Sequence, residues 1–429
     1  MGDWRQSLQT ISECELQEMG SLLRSRVVTE VVAQVQGMLG QLDSATLDIA
    51  VTGDSGAGKS SFINAFRGLG DEDPESSPTG VTETTLEITA YPHPGLPNVR
   101  LWDLPGIGTP RFQADRYLEM VGLERFDFFI IVSSERFREN HVLLAEAVRK
   151  WGKKFYFVRN KVENDLEAWG RRKMRGAAAG KEEQEDLLGR IRADCEGSLR
   201  KMGGGMGTMA ITVFLISCFH PNKFDFPRLQ ETLAQELEGH KRHALLLALP
   251  NLSATTLQGK RKALEGGLWR RAMSACLCTV APGGLGVGGR AGLSGSVPVL
   301  METLRSYQRH FGVDQESLRR LAALTGKPYE LLCREVTSSA GRQLSEQGVE
   351  DMLGQMAMGQ QVVVGMLQSR IPVLGSLTCG GVSFVACYWL LSSALGDLSQ
   401  DAERVMRRAL HGEELDREEV EDPGFFYGD

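Results

Sequence analysis

The sequence predicts an α/β domain with a mostly parallel sheet, flanked by an all-α part built from both ends of the chain. Three observations predict it. Short apolar runs of buried-strand length alternate with helical stretches between about residues 45 and 238. A glycine-rich turn joins the first of those runs directly to a helix. Beyond about residue 240 the strand pattern stops and helical periodicity continues to about residue 412.

The first forty-odd residues read as helix. Ser12, Glu13, Cys14 and Glu15 have capping-box spacing, and Leu22, Leu23, Val27, Val28, Val31 and Val32 recur at helical spacing toward Met38 and Leu39. Residues 47–52 form a short strand, and residues 60–67 the helix after the turn. Residues 86–91 and 99–102 make two strands with a polar, proline-rich connection at 92–98, a hairpin pattern. Further buried-type strands follow at 126–132, 155–158 and 211–216, with helices at 142–150 and 182–201. The stretch 168–181, with Arg171, Arg172, Lys173 and Arg175 among glycines and alanines, reads as a loop, as does Gly203-Gly204-Gly205. In the later helical part, Gly283, Gly284, Gly286, Gly288 and Gly289 follow Pro282 and break the pattern. The expected layout is N-terminal helices at 1–44, the sheet domain at 45–238, C-terminal helices at 239–412 and a loose acidic tail at 413–429. The N-terminal helices are expected to pack with the C-terminal ones.

Composition narrows the class. Hydrophobic residues are 42% and charged residues 24% of 429, ordinary for a folded, soluble chain. With 48 Lys and Arg against 55 Asp and Glu the net charge is −7, so a dedicated nucleic-acid partner is not expected. Eight cysteines with no CxxC pair argue against a disulfide scaffold and a zinc site; Cys276 and Cys278 form only a CxC. Met1 to Ser7 carries no apolar core, so no secretory signal is read. Gly2 raises myristoylation, but that pattern wants Ser or Thr where Gln6 stands, and a plain cytosolic start is the blander reading.

The chemistry is concentrated in three pieces. Gly53, Asp54, Ser55, Gly56, Ala57, Gly58, Lys59 and Ser60 fit G-x-x-x-x-G-K-[ST] completely, between a strand and a helix, with Ser61 behind them. This is a P-loop: glycines let successive N–H groups curl toward phosphate oxygens, and the helix adds its positive end. Lys59 reaches the β- and γ-phosphates and Ser60 offers a hydroxyl to Mg²⁺. The second piece, Asp103-Leu104-Pro105-Gly106, follows a strand as a metal-holding aspartate should, with Gly106 offering its N–H to the γ-phosphate. The third is Asn160-Lys161-Val162-Glu163 after the strand at 155–158. An N/T-K-x-D element reads guanine, its carboxylate accepting from the ring N1–H and the exocyclic amine. Here the acid is Glu163, one methylene longer, so the fit is looser. Ser217 and Cys218, after the strand at 211–216, sit where a backbone contact to guanine O6 is expected.

These pieces, with Thr79-Gly80-Val81-Thr82-Glu83-Thr84-Thr85, Tyr91-Pro92-His93-Pro94, Trp102-Asp103-Leu104-Pro105-Gly106-Ile107-Gly108, Tyr117-Leu118 and Phe155-Tyr156-Phe157-Val158-Arg159, resemble the immunity-related GTPases, the interferon-inducible p47 group. The likeness is strong over about 45–245 and weaker to about 410, and Lys59 places it with the subgroup carrying Lys in the phosphate loop. The resemblance implies a Ras-like, dynamin-related GTPase domain with an all-α domain formed from the N- and C-terminal helices. It implies GTP and GDP binding with Mg²⁺, GTP hydrolysis, and self-assembly into a homodimer or oligomer through the nucleotide face. It also implies action on intracellular membranes in cell-autonomous defence, with other members of the group serving in testis. Carried over by motif, Glu83 matches a switch-I glutamate needed for hydrolysis, and Thr79, with Gly80 beside it, a threonine near Mg²⁺ and the γ-phosphate. Lys161, Glu163 and Asn164 match the base-contacting stretch, with Glu163 departing from the family's Asp. The catalytic set is thus Glu83, Lys59 and Thr79, and the metal set Ser60, Thr79 and Asp103.

One chemical point stands apart from the resemblance. Small GTPases place a water-orienting Gln just after the D-x-x-G glycine, and this chain has Ile107 there. Another polar group must do that work, and Glu83 is the local candidate, with or without help from a second subunit. The competing reading is a nucleotide-gated scaffold that hardly cleaves. A third rests on residues 371–396, which carry no charge over 26 positions but include Pro372, Gly375, Gly380 and Gly381. Their continuous apolar part, 382–395, is nearer to a buried helix than to a span. Met352, Leu353, Met356, Val363, Val364 and Leu367 form an apolar stripe that suits either a bundle interior or a membrane surface. Cytoplasmic placement with peripheral membrane association is therefore expected over a spanning chain. His240, Lys241, Arg242 and His243 mark the junction to the helical part, in a structural or hinge role.

Overall fold

A computed structural model gives the structure at residues 13–22, 28–80, 88–107, 113–173, 181–202, 212–277, 296–342, 344–357 and 378–421. The chain divides into two compact units, Ala45–Thr256 and Met1–Ser44 with Leu257–Asp429. Helices α1 (Glu13–Leu22) and α2 (Val28–Asp43) belong to the second unit.

The first unit is built on a six-stranded sheet: β1 (Leu47–Gly53), β2 (Thr89–His93), β3 (Leu96–Asp103), β4 (Phe128–Ser133), β5 (Lys154–Arg159) and β6 (Val213–Leu215). Its order is β2-β3-β1-β4-β5-β6. Among the described strands only the β2–β3 pair is antiparallel. Every residue of β1 and β4 is buried, which their unbroken apolar text anticipates for strands covered on both faces. Period-two alternation sends Ile49 and Val51 into the core on one face and Ala50 into the core on the other.

The helices supply the covering layers. On the first face α3 (Lys59–Arg67) contributes Phe62, Ile63 and Phe66, which meet Phe226, Leu229 and Leu233 from α8 (Phe226–Glu236). The Phe62 and Phe226 rings lie 5.8 Å apart. On the second face α4 (Ala114–Val121), α5 (Glu139–Lys150) and α7 (Lys181–Met202) present Leu118, Val142, Val148 and Leu199 to Phe129 and Ile131. Because β1, β3, β4, β5 and β6 are parallel, their C-terminal ends share one edge. The order reverses at β1, whose neighbours β3 and β4 follow it in sequence on opposite sides. Ligands of open α/β sheets bind at such a crevice.

Four expectations need correction. Helix α6 (Val162–Lys173) runs well into the stretch read as a loop from 168; its basic end, Arg171 to Lys173, complements the helix dipole. Strand β2 starts at Thr89, three residues later than expected. The unit boundary falls after Thr256 rather than 238, because α9 (Gly239–Ala248) packs into the sheet core through Ala244, Leu245 and Ala248. The His240–His243 stretch therefore lies within this unit, where Lys241 pairs with Asp127. Finally, the tail expected to be loose from 413 is helical to Glu421, since good helix formers extend an existing helix at little cost.

The second unit resumes at Leu257, within α10 (Ala254–Glu265), and continues through α11 (Leu268–Leu277), α12 (Val297–Phe311), α13 (Gln315–Thr325), α14 (Tyr329–Glu335), α15 (Ser339–Arg342), α16 (Glu346–Ala357) and α17 (Thr378–Glu421). Helix α11 packs on α2, α12 and α17, and α17 also receives α14, α15 and α16. Arg270 of α11 holds Glu18 of α1 at 2.9 Å, so side chains from both chain ends meet. Trp269, Tyr307, Phe311 and Phe384 are fully buried. Leu353, part of the apolar stripe, is buried too, while Val363, Val364 and Leu367 lie outside the described residues. Among the described residues no helix is long and apolar enough to cross a membrane; residues 371–377 lie outside them, and 378–396 form the start of α17.

Candidate functional site

Strand β1 delivers the phosphate loop to the sheet edge. Gly53 closes the strand beside Val132 of β4, and a Cβ there would lie 1.9 Å from the Val132 carbonyl oxygen, so only glycine fits. Gly58 takes a left-handed φ of 87° and caps α3 without any side-chain hydrogen bond. The first-turn N–H groups of α3 therefore face outward with no side-chain cap, an arrangement that suits an anion. Lys59 is buried, with Nζ donating to the Asp54 carbonyl oxygen at 3.2 Å across its own loop.

The metal-type donors sit next to this turn. Asp103 ends β3 opposite Val51, and its Oδ2 accepts from Ser60 Oγ at 2.8 Å. Ile107 N–H donates to the Gly53 carbonyl at 3.2 Å, which draws the Leu104–Ile107 segment, Gly106 included, against the phosphate loop. Tyr117 donates its hydroxyl to the Pro105 carbonyl at 2.9 Å and shares a 2.7 Å bond with Thr52. The Ile107 side chain is fully buried, so it packs and has no reach to a water. Asn140 Nδ2 holds the Ile107 carbonyl at 2.8 Å.

Asp54 is met from α5. His141 is fully buried, and burial lowers its pKa from the ordinary histidine value against the opposing pull of Asp54. Its Nδ1 accepts the Arg138 N–H at 3.0 Å, so the neutral ring carries its proton on Nε2, 3.4 Å from Asp54 Oδ2.

The other end of the site is built on Asn160. This buried amide donates from Nδ2 to the Ala57 carbonyl at 3.1 Å and accepts at Oδ1 from the Cys218 N–H at 3.3 Å. Its own N–H donates to the Ser133 carbonyl at 2.8 Å. Lys161 adopts a left-handed φ of 62°, which folds its stem back until Nζ donates to the Gly56 carbonyl at 2.9 Å. Glu163 Oε2 is buried and has no hydrogen-bond partner among the described residues, an acceptor suited to paired N–H donors. Burial, then the charge of Glu163, pushes the Cys218 thiol well above its ordinary pKa, so it stays protonated and is no nucleophile.

One cavity of about 210 Å³ gathers Ser55, Gly56, Gly58, Lys59, Ser60, Ser61, Thr79, Gly80, Lys161, Asn164 and Cys218. Gly53, Asp54, Ala57, Asp103, Gly106, Glu163 and Ser217 are not among the residues that line it. Ser217 is buried and its Oγ accepts from the His220 N–H at 3.2 Å. Glu83 lies outside the described residues. Two wall residues were absent from the sequence-derived set: Asn160, signalled only as the first letter of Asn-Lys-Val-Glu, and Phe219, whose ring is 66% exposed. An aromatic directly after Ser217-Cys218 is the signal that could have found Phe219.

Comparison with known proteins agrees with this geometry. Residues 12–406 match the family described as interferon-inducible GTPase (IIGP). The chain is 38% identical over 400 residues to "Interferon-inducible GTPase 5" of Bos taurus, covering 93% of this chain and 83% of that protein. It is 32% identical over 416 residues to "Interferon-gamma-inducible GTPase 10" of Mus musculus, covering 95% and 92%. A third relative, "Interferon-inducible GTPase 1" of Mus musculus, is 37% identical over 291 residues, 67% of this chain and 66% of that protein.

Proposed function

The chain belongs to the interferon-inducible GTPase family, and from that premise we propose that it binds GTP and GDP at the β1–α3 crevice and hydrolyses GTP with Mg²⁺. The observation that carries this reading is the pairing of two ends in one site. An uncapped helix N-terminus with Lys59 lies at one end, and at the other a half-buried Glu163 whose Oε2 is buried and has no hydrogen-bond partner among the described residues. The first suits a triphosphate and the second the N–H edge of guanine.

Each residue has a task in this reading. The amides of 55–60 and the Lys59 ammonium bind the phosphates, with Lys59 leaving the Asp54 carbonyl for the nucleotide. Lys161 lays its stem over one face of the base, and Glu163 accepts from its edge, with the Cys218 N–H and Ser217 nearby for O6 and Asn164 at the rim. The donor set fits a hard divalent cation: Ser60 Oγ and Asp103 Oδ2 are oxygen donors already 2.8 Å apart. Ser60, Asp103 and Thr79 would hold Mg²⁺, which would neutralise charge on the β- and γ-phosphates. Gly80 and Gly106 present backbone N–H groups toward the γ-phosphate end. Glu83 orients the attacking water, a role Ile107 cannot take. We further propose self-assembly into a homodimer or oligomer through this face, and peripheral action on intracellular membranes from the cytoplasm in interferon-induced defence.

The buried Ile107 favours one second reading, a nucleotide-gated scaffold with little turnover. The test is a calorimetric titration of GTP, ATP and XTP, followed by turnover at several protein concentrations, for wild type, Lys59→Ala and Glu83→Ala. Expected are a preference for GTP, lost binding in Lys59→Ala, turnover per molecule that rises with concentration, and intact binding without turnover in Glu83→Ala. No GTP binding by wild type refutes the site, and unchanged turnover in Glu83→Ala favours the scaffold.

A further inference from the structure

Helix α3 does more than present Lys59 and Ser60. One helical turn after Ser60 lies Asn64, only 1% exposed, with all its amide groups in use. Its Oδ1 accepts from the Ser77 N–H at 2.6 Å, and its Nδ2 donates to the Ser77 carbonyl at 3.0 Å and to Asp71 Oδ1 at 3.0 Å. The side chain thus pairs with both the N–H and the C=O of one residue, Ser77, much as a neighbouring strand would. Three residues on, buried Arg67 donates to the Glu75 carbonyl at 2.9 Å and to the Pro92 carbonyl at 3.0 Å. The loop is also closed within itself, Ser76 Oγ donating to the Asp71 carbonyl at 3.0 Å.

Only Pro78 separates Ser77 from Thr79. Proline fixes its own φ and holds the preceding residue extended, so an anchor at Ser77 constrains where Thr79 enters the cavity. We propose that Asn64 is a positioning residue for Thr79: it pins the 71–78 loop to the same helix that supplies Lys59 and Ser60. The three groups facing the γ-phosphate end then share one rigid mount. The inference rests on the nucleotide reading above, in which Thr79 would help hold Mg²⁺ at the γ-phosphate end, an end that GDP lacks.

The test compares wild type, Asn64→Ala, Ser77→Ala and Lys59→Ala as full chains. Three readouts are used: thermal melting, GDP affinity by calorimetry, and GTP turnover against Mg²⁺ concentration. Expected for Asn64→Ala are a cooperative melt, GDP affinity within about threefold of wild type, kcat lower by about tenfold or more, and a higher Mg²⁺ requirement. Ser77→Ala, which removes a buried Oγ that makes no hydrogen bond among the described residues, should match wild type. Equal losses of GDP and GTP affinity in Asn64→Ala would mark a merely structural role and overturn the proposal, as would wild-type kcat. Lys59→Ala separates the two layers: if it binds GTP like wild type, the nucleotide reading falls, and the positioning role falls with it. Hydrogen exchange on wild type needs no variant. The Ser77 amide should be protected alike without nucleotide, with GDP and with a GTP analogue; rapid exchange in any of these states refutes the fixed mount.

Discussion

Replacing Gly58 by alanine tests how tightly the phosphate loop is tied to the base-reading loop. At φ 87° an L-residue costs about 1–2 kcal/mol in backbone strain. The new Cβ would also lie 2.4 Å from Asn160 Nδ2, well inside contact distance. Asn160 cannot yield freely, since it is buried and bonded to Ala57 and Cys218. Displacing it leaves buried polar groups short of partners, at about 1–3 kcal/mol each. With the Ala57 carbonyl and the Cys218 N–H both left short, the expected total is a loss of about 3–8 kcal/mol in the stability of the sheet unit. Gly56→Ala is the internal control. Its φ is 73°, but nothing lies within 4 Å of the added Cβ, so only the strain of about 1–2 kcal/mol should appear. Native-state hydrogen exchange at β1 and β4 amides, without nucleotide, reads this unit alone. If Gly58→Ala loses no more than Gly56→Ala, the contact with Asn160 carries no energy and the reasoning fails.

Two further outcomes follow from the structure. Phe219→Ala should weaken GTP and GDP binding alike by about tenfold, because a base stacked on an aromatic ring gains about 1–3 kcal/mol. Tripolyphosphate, which has no base, should bind unchanged, and equal calorimetric titrations of wild type and Phe219→Ala with GTP would remove Phe219 from the site. Lys260 of α10 is buried with Nζ donating to the His310 carbonyl at 2.7 Å, and burial lowers its pKa from 10.5 to about 7. Between those values the folded amine is neutral while the unfolded one is charged, so unfolding takes up a proton. The lysine therefore favours the folded state progressively as pH rises from 7 to 10.5, with a slope of up to about 1.4 kcal/mol per pH unit, and that stability is lost as pH falls to 7. Urea midpoints for Lys260→Met at pH 7, 8 and 9 should show a flatter slope than wild type.

Much of the site was legible because its physics is local. The glycines at 53, 56 and 58, a buried strand before them and a helix after them are consecutive in the chain, and so are Asn160 to Glu163. The anchors were not legible. Asn64 and Arg67 fall in the helix predicted over 60–67 with nothing in their spacing to name a partner, and their partners, Ser77 and Glu75, are set by how a loop folds back. His141 lies 87 positions from the Asp54 it faces, so no local spacing could pair them. The end of α6 was misread because a basic Gly/Ala stretch has loop composition, although Arg171 to Lys173 also suit a helix C-terminus. The unit boundary was misplaced for a related reason: Ala244, Leu245 and Ala248 announce a helix with a buried face, and only the fold says that the sheet is what buries it.

Asn160 carries a consequence for how selectivity can evolve. In the proposed reading the same amide steadies the loop that would grip phosphate and the two loops that would frame the base. Recognition of the two ends of the nucleotide is therefore thermodynamically linked, and each end's affinity contains a share of the other's. Guanosine and tripolyphosphate offered as separate fragments would bind with energies that do not sum to that of the intact molecule. A lineage drifting toward a different base would weaken its hold on the phosphates before any contact to them had changed.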